Sequence, residues 1–150
     1  MIFYRSEKGL SQQARIYLVA ASIIANLGIK DKISIASNGS AGATYYQSHK
    51  FTILQGAYAI KYIYKNLNSV HYLFFACLIA KKTKDQFSWA NKADWIKVKG
   101  LRISLPITST GEIDFDFMEV FIRAIEKLVI RDVVLYADKN IETTKQLVSR

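Results

Sequence analysis

The 150-residue chain holds two histidines, His49 and His71, and one cysteine, Cys77. Neither histidine has a cysteine, a second histidine or a carboxylate at the close spacing that zinc ligation or a base-activated nucleophile requires. His71 stands at the start of an apolar run and reads as a partly buried structural residue. Asp114 and Asp116 form an i, i+2 pair at an expected helix start, where acids chiefly complement the helix dipole rather than perform acid–base or metal chemistry. Cys77 lies in the apolar run 70–80 with no second cysteine to pair with, which fits a reducing compartment and so the cytoplasm. No catalytic residue, metal site or cofactor is expected.

Two segments hold residues suited to binding a polyanion. The first, Asn38-Gly39-Ser40-Ala41-Gly42, lacks the Gly-Lys-Ser/Thr ending of a nucleotide-hydrolysing loop and is followed by a strand-like run. It is either a bare hairpin turn or a loop whose small residues let backbone N–H groups approach a phosphate. The second, residues 81–102, holds seven basic residues (Lys81, Lys82, Lys84, Lys92, Lys97, Lys99, Arg102) and two acids, with Phe87, Trp89 and Trp95 among them. Lysines supply phosphate contacts through counterion release, and Asn91 and its polar neighbours can read base edges. The competing reading is a solvated surface with Trp95 in the core. The candidate nucleic-acid contacts are Asn38, Gly39, Ser40, Lys81, Lys82, Lys84, Trp89, Asn91, Lys92, Lys97 and Lys99.

The charge is uneven along the chain. Residues 1–113 carry 15 Lys/Arg against 5 Asp/Glu, and residues 114–150 carry 6 against 7, so the whole net charge of +9 belongs to the first three-quarters. A basic body with a near-neutral tail suggests a polyanion-binding domain followed by a segment with another task. With 51% hydrophobic and 22% charged residues, one domain with a real core is expected, not a disordered chain. No segment reaches the roughly 18 apolar residues of a spanning helix. Arg15 before the apolar run 16–25 imitates a secretory leader, but Glu7 and the missing small-x-small cleavage site argue against one.

The elements that must position these residues follow from pattern. Residues 1–15 show no firm periodicity, and the run 16–25 fits a buried strand or a short buried helix equally well. Residues 32–37 alternate as a half-buried strand, and residues 43–47 form its hairpin partner across the glycine loop. Residues 51–54 and 58–64 are expected to be further strands. Asn68-Ser69 can cap a helix over residues 70–82, and residues 101–106 alternate again up to Pro106. From Asp114 the period is helical: Phe117, Phe121, Ala124 and Leu128 share one face, with Met118, Ile122, Ile125 and Val129 beside it. That helix is expected to run on through Val133 and Tyr136 to Val148, either continuous or with a break near Asp138. The fold class expected is α/β (α+β): a twisted, mostly antiparallel sheet with packed helices, then a long C-terminal helical segment.

Taken in order, the runs SIASNGSAGATYYQ (34–47), FSWANKADWIKVK (87–99), ISLPIT (103–108) and GEIDFDFMEVFI (111–122) resemble a target-recognition domain of the DNA specificity subunits of type I restriction–modification systems and of the related type IIB and fused type IIG enzymes. The resemblance spans residues 16–150. It implies a non-catalytic domain that clamps duplex DNA and reads half of a split target. It also implies a long helix that pairs with its counterpart and docks methyltransferase and restriction subunits. By the same resemblance, residues 38–42 form a structural hairpin near the DNA side and the basic loop takes part in recognition. The family's loop pattern is an aromatic followed by Gly-Arg-Lys-Trp. Here Trp89-Ala90-Asn91-Lys92-Ala93 keeps only the lysine.

The expected organisation is therefore a DNA target-recognition domain over residues 1–113 and a helical, dimerising region over residues 114–150. The whole would act as a half-length specificity subunit in the cytoplasm. Its partners would be duplex DNA, the methyltransferase and restriction subunits and a second copy, through Phe117, Phe121, Leu128 and Val133, with no membrane partner. A continuous helix over residues 114–150 would be about 55 Å long, longer than the about 34 Å of one DNA turn. Two other readings compete. A remnant of a fused methyltransferase–endonuclease would need proline-bearing motifs that a chain with Pro106 as its only proline lacks. A basic RNA-binding or ribosome-associated protein would prefer single strands stacked on aromatics.

Overall fold

The computed structural model describes residues 12–14, 18–21, 28–62 and 65–148. Six strands and three helices follow one another: β1 (Gln12–Ala14), β2 (Leu18–Ala21), β3 (Lys32–Ala36), β4 (Thr44–Gln47), β5 (Ala57–Tyr62), α1 (Ser69–Lys84), α2 (Trp95–Val98), β6 (Ile103–Leu105) and α3 (Phe115–Val148). Four strands form an antiparallel sheet in the order β2-β5-β3-β4, and β1 pairs with β6 in a two-stranded ribbon. The class is α+β, as the sequence pattern led one to expect.

The alternation in β3 sends Ile33 and Ile35 into the core, both at 0% exposure, and leaves Ser34 on the outer face. Ile33 pairs with Ile60 of β5 and Ile35 with Tyr58, so the central pair of strands builds one apolar surface. Helix α1 covers that surface. Asn68 starts it, its side-chain oxygen accepting the His71 N–H at 3.0 Å. Lys81, Lys82 and Lys84 in the last turn complement its C-terminal dipole. Phe75, 1% exposed, stacks on Tyr62 at 5.8 Å between centroids, a burial worth about 1.5–3 kcal/mol.

Helix α3 begins where Asp114 caps it, the carboxylate accepting the Phe117 N–H at 2.8 Å. Its first two turns join the core through Met118 and Ile122, and Phe121 meets Phe74 of α1 edge-on at 5.9 Å. From Arg123 to Gln146 every residue is exposed. The helix is unbroken through Asp138, the continuous form of the two expected, because nothing in residues 130–146 removes a backbone donor or demands a left-handed turn.

The strand expected over residues 51–54 does not form. Phe51 makes one bridge to Ile29, and the chain then turns through Gly56, whose φ of +89° suits glycine alone. The apolar run 16–25 contains strand β2, and the rest of it lies outside the described residues. Residues 12–14, which showed no pattern, form β1. Three residues are too few to show a period, and their pairing with β6 spans some ninety positions. The expected strand over 58–64 is β5, starting at Ala57; residues 63–64 lie outside the described part.

Candidate nucleic-acid interface

The C-terminal end of β3, the C-terminal end of α1 and the segment 85–94 meet at one end of the domain. The β3–β4 loop turns through Gly39 (φ +69°) and Gly42 (φ +87°). The Gly42 carbonyl receives two hydroxyls, from Thr83 at 2.6 Å and Thr44 at 2.9 Å, which ties the loop to the last turn of α1. A Cβ at Gly42 would come 3.0 Å from the Thr83 carbonyl oxygen, so the close approach itself requires glycine.

The segment 85–94 is braced from below. Ser37 donates its hydroxyl to Asp94 at 2.8 Å, the Ala93 N–H bonds the Ser37 carbonyl at 3.3 Å, and the Tyr58 hydroxyl donates to the Ala93 carbonyl at 2.9 Å. Burial, and secondarily the nearby Asp94 charge, push the Tyr58 phenol well above its ordinary range, so it stays a donor at any physiological pH. Within the segment, Ser88 and Asn91 exchange backbone hydrogen bonds in a tight turn. The Asn91 side chain donates to the Gln86 carbonyl at 2.8 Å and accepts from the Lys97 ammonium at 2.8 Å. Lys97 also reaches the Lys92 carbonyl at 3.1 Å.

These bonds divide the sequence candidates. Asn91 and Lys97 have their polar atoms engaged in holding the loop. Asn38, Gly39, Ser40, Lys84, Trp89 and Lys92 are exposed and line two adjoining clefts. The larger, about 470 Å³, runs between the glycine loop and the Ala80–Lys84 side of α1, with Tyr45 and Phe87 as walls. The smaller, about 120 Å³, lies between Asn38 and Trp89. Lys81, Lys82 and Lys99 are exposed but line neither cleft. Trp95, by contrast, is half-buried and meets Tyr58 edge-on at 6.0 Å, serving the core beneath. Sequence reading missed Thr83, Ser37, Tyr58 and Asp94, whose partners lie 35 to 57 positions away.

The residues weighed for catalysis take structural places. His71 is buried at the start of α1, its Nε2 3.2 Å from the Phe115 carbonyl of α3, and His49 is exposed beside Ser48. Among the described residues no group of histidine, cysteine and carboxylate side chains could hold a metal ion, and no helix is long and apolar enough to cross a membrane. Of the helix candidates, Phe117, Phe121, Leu128 and Val133 are all exposed, from 45% to 60%, with Phe117 stacked on Phe121 at 5.9 Å.

A basic domain that gathers flexible cations, an exposed indole and a glycine loop at one end, with no catalytic cluster among the described residues, has the make-up of a nucleic-acid-reading module. The family model of the type I restriction modification DNA specificity domain matches residues 10–135. The chain belongs to that family and is a DNA-binding target-recognition domain of a restriction–modification system. No curated protein and no solved structure matches it.

Proposed function

We propose that this domain reads one half of a split duplex target through the two clefts and their rim. In this reading α3 joins it to a second recognition domain, a second copy of the chain being the simplest, and docks methyltransferase and restriction subunits in the cytoplasm. The observation that carries the reading is the gathering of Asn38, Ser40, Lys84, Trp89 and Lys92, from three separate elements, at one end of a domain whose residues 1–113 hold all the excess positive charge. Lys84 and Lys92 contact phosphates, and Lys81, Lys82 and Lys99 add to the field that draws the duplex in. Residues 1–113 do the reading and residues 114–150 do the joining. The chemistry of cleavage and methylation belongs to the partner subunits.

The test is duplex binding by the full chain across a salt series. Each lysine that releases a counterion adds about 0.9 to the slope of log affinity against log salt. Lys84→Ala and Lys92→Ala should each flatten the slope by about that amount. Affinity that ignores salt, or RNA that displaces the duplex at equal concentration, would overturn the reading.

A further inference from the structure

Trp89 is 82% exposed although the turn that bears it is held at both ends by backbone bonds between Ser88 and Asn91. The backbone that carries the indole is thus held while the indole itself has no core to fill, which leaves its face available to a ligand. Facing it across the smaller cleft is Asn38. The backbone of Asn38 is anchored, its N–H bonded to the Gly56 carbonyl at 3.1 Å, and Gly56 is bare there, since a Cβ would come 3.1 Å from the Asn38 amide nitrogen. Among the described residues the Asn38 side chain itself has no hydrogen-bond partner, whereas both polar atoms of the nearby Asn91 are engaged. One asparagine at this end is a brace and the other is a free amide on an anchored backbone.

We infer that this cleft reads a single A·T base pair from the major groove. Asn38 pairs with the adenine edge, Trp89 packs on the thymine methyl, and Lys92 holds the flanking phosphate. The inference rests on the duplex-reading function proposed above. An amide offers one donor and one acceptor side by side, which complement adenine N7 and the adenine amino group. The thymine methyl is the one apolar group that a base pair presents in that groove, and the indole is the apolar wall of the cleft. A G·C pair would leave the indole without a partner. Lys92, a flexible point charge, suits a phosphate better than a planar base edge.

The experiment selects the full chain's preferred sites from a random duplex pool, in parallel with Asn38→Ala and Trp89→Ala. Both side chains are exposed, so the variants keep the fold. The wild-type selection should contain an A·T position that relaxes in both variants while the other positions stay. On the selected site, changing that thymine to deoxyuridine should weaken wild-type binding about fourfold, the worth of one methyl, and leave Trp89→Ala unmoved. Removing adenine N7 by the 7-deaza base should cost wild type roughly tenfold and Asn38→Ala nothing. A selection without any preferred duplex sequence overturns the reading function and this inference with it. A preferred sequence that both variants keep unchanged, or that relaxes at a G·C pair, overturns this inference alone.

Discussion

Thr83 and Gly42 lie 41 positions apart, yet the Thr83 hydroxyl meets the Gly42 carbonyl at 2.6 Å in a fully buried contact. Through it α1, which His71 joins to the first residue of α3, reaches the glycine loop at its other end. From residue 71 to residue 83 the helix spans about 18 Å. The glycine loop and the base of α3 thus sit at the two ends of one helix.

Thr83→Val keeps the shape and removes the hydroxyl. The Gly42 carbonyl retains Thr44, so the stability loss should be about 1 kcal/mol, read by urea unfolding. Duplex affinity should fall as well, although Thr83 is too deep to touch DNA. Unchanged affinity would show that the loop keeps its place without this tie.

Asn91→Ala should weaken binding to all duplex sequences alike. It releases Lys97 and the Gln86 carbonyl and so loosens the loop that carries Trp89. Parallel titrations on preferred and scrambled duplexes would check this, and a loss confined to the preferred duplex would make Asn91 a reader.

Met118→Ala and Leu128→Asp separate the two parts of α3. Met118 is 0% exposed, and its truncation should cost about 2–5 kcal/mol. Leu128 is 46% exposed in the single chain, so Leu128→Asp should move the stability of the monomer's own fold by no more than about 0.5 kcal/mol, measured at a concentration too low for association. In sedimentation the full chain should run as a dimer and Leu128→Asp or Val133→Asp as a monomer. A wild-type chain that stays monomeric at high concentration and ignores the methyltransferase subunit would refute the joining role of the helix.

Stability should fall in alkali. Burial, then a 2.8 Å hydrogen bond to Asp31, raises the Tyr46 phenol from its ordinary value of 10.0 to about 12. The folded state favours the neutral phenol, so this contribution is fully present below pH 10 and is lost as pH rises through about 12. Tyr46→Phe should flatten the fall of Tm over that window, measured by thermal melts across the alkaline range.

Much of the fold was legible because it is local. The hairpin of β3 and β4, the Asn68 cap and the helical period from Asp114 each lie within a few neighbouring residues. The strand expected over 51–54 failed because β-propensity says that a run fits a sheet, not that a partner is there to receive it. The site was legible only as a set of polar and basic types. Which asparagine is free and which is bound depends on Gln86, Lys97 and Gly56. The placing of the loop depends on Ser37 meeting Asp94 57 positions away, which no period in the chain announces.

An α-helix transmits angle as well as distance. The 34 residues of α3 carry about 51 Å of length, but each residue also turns the far end by about 100°. Inserting one residue beyond Ile122 would lengthen the span by about 1.5 Å while swinging whatever the far end holds through more than a quarter of a circle. Phase would thus be lost well before reach. Insertions of seven or eleven residues come back nearly into phase. If α3 spaces two half-sites as proposed, changes of that gap would be best tolerated in such steps, while the domain at the base stays untouched.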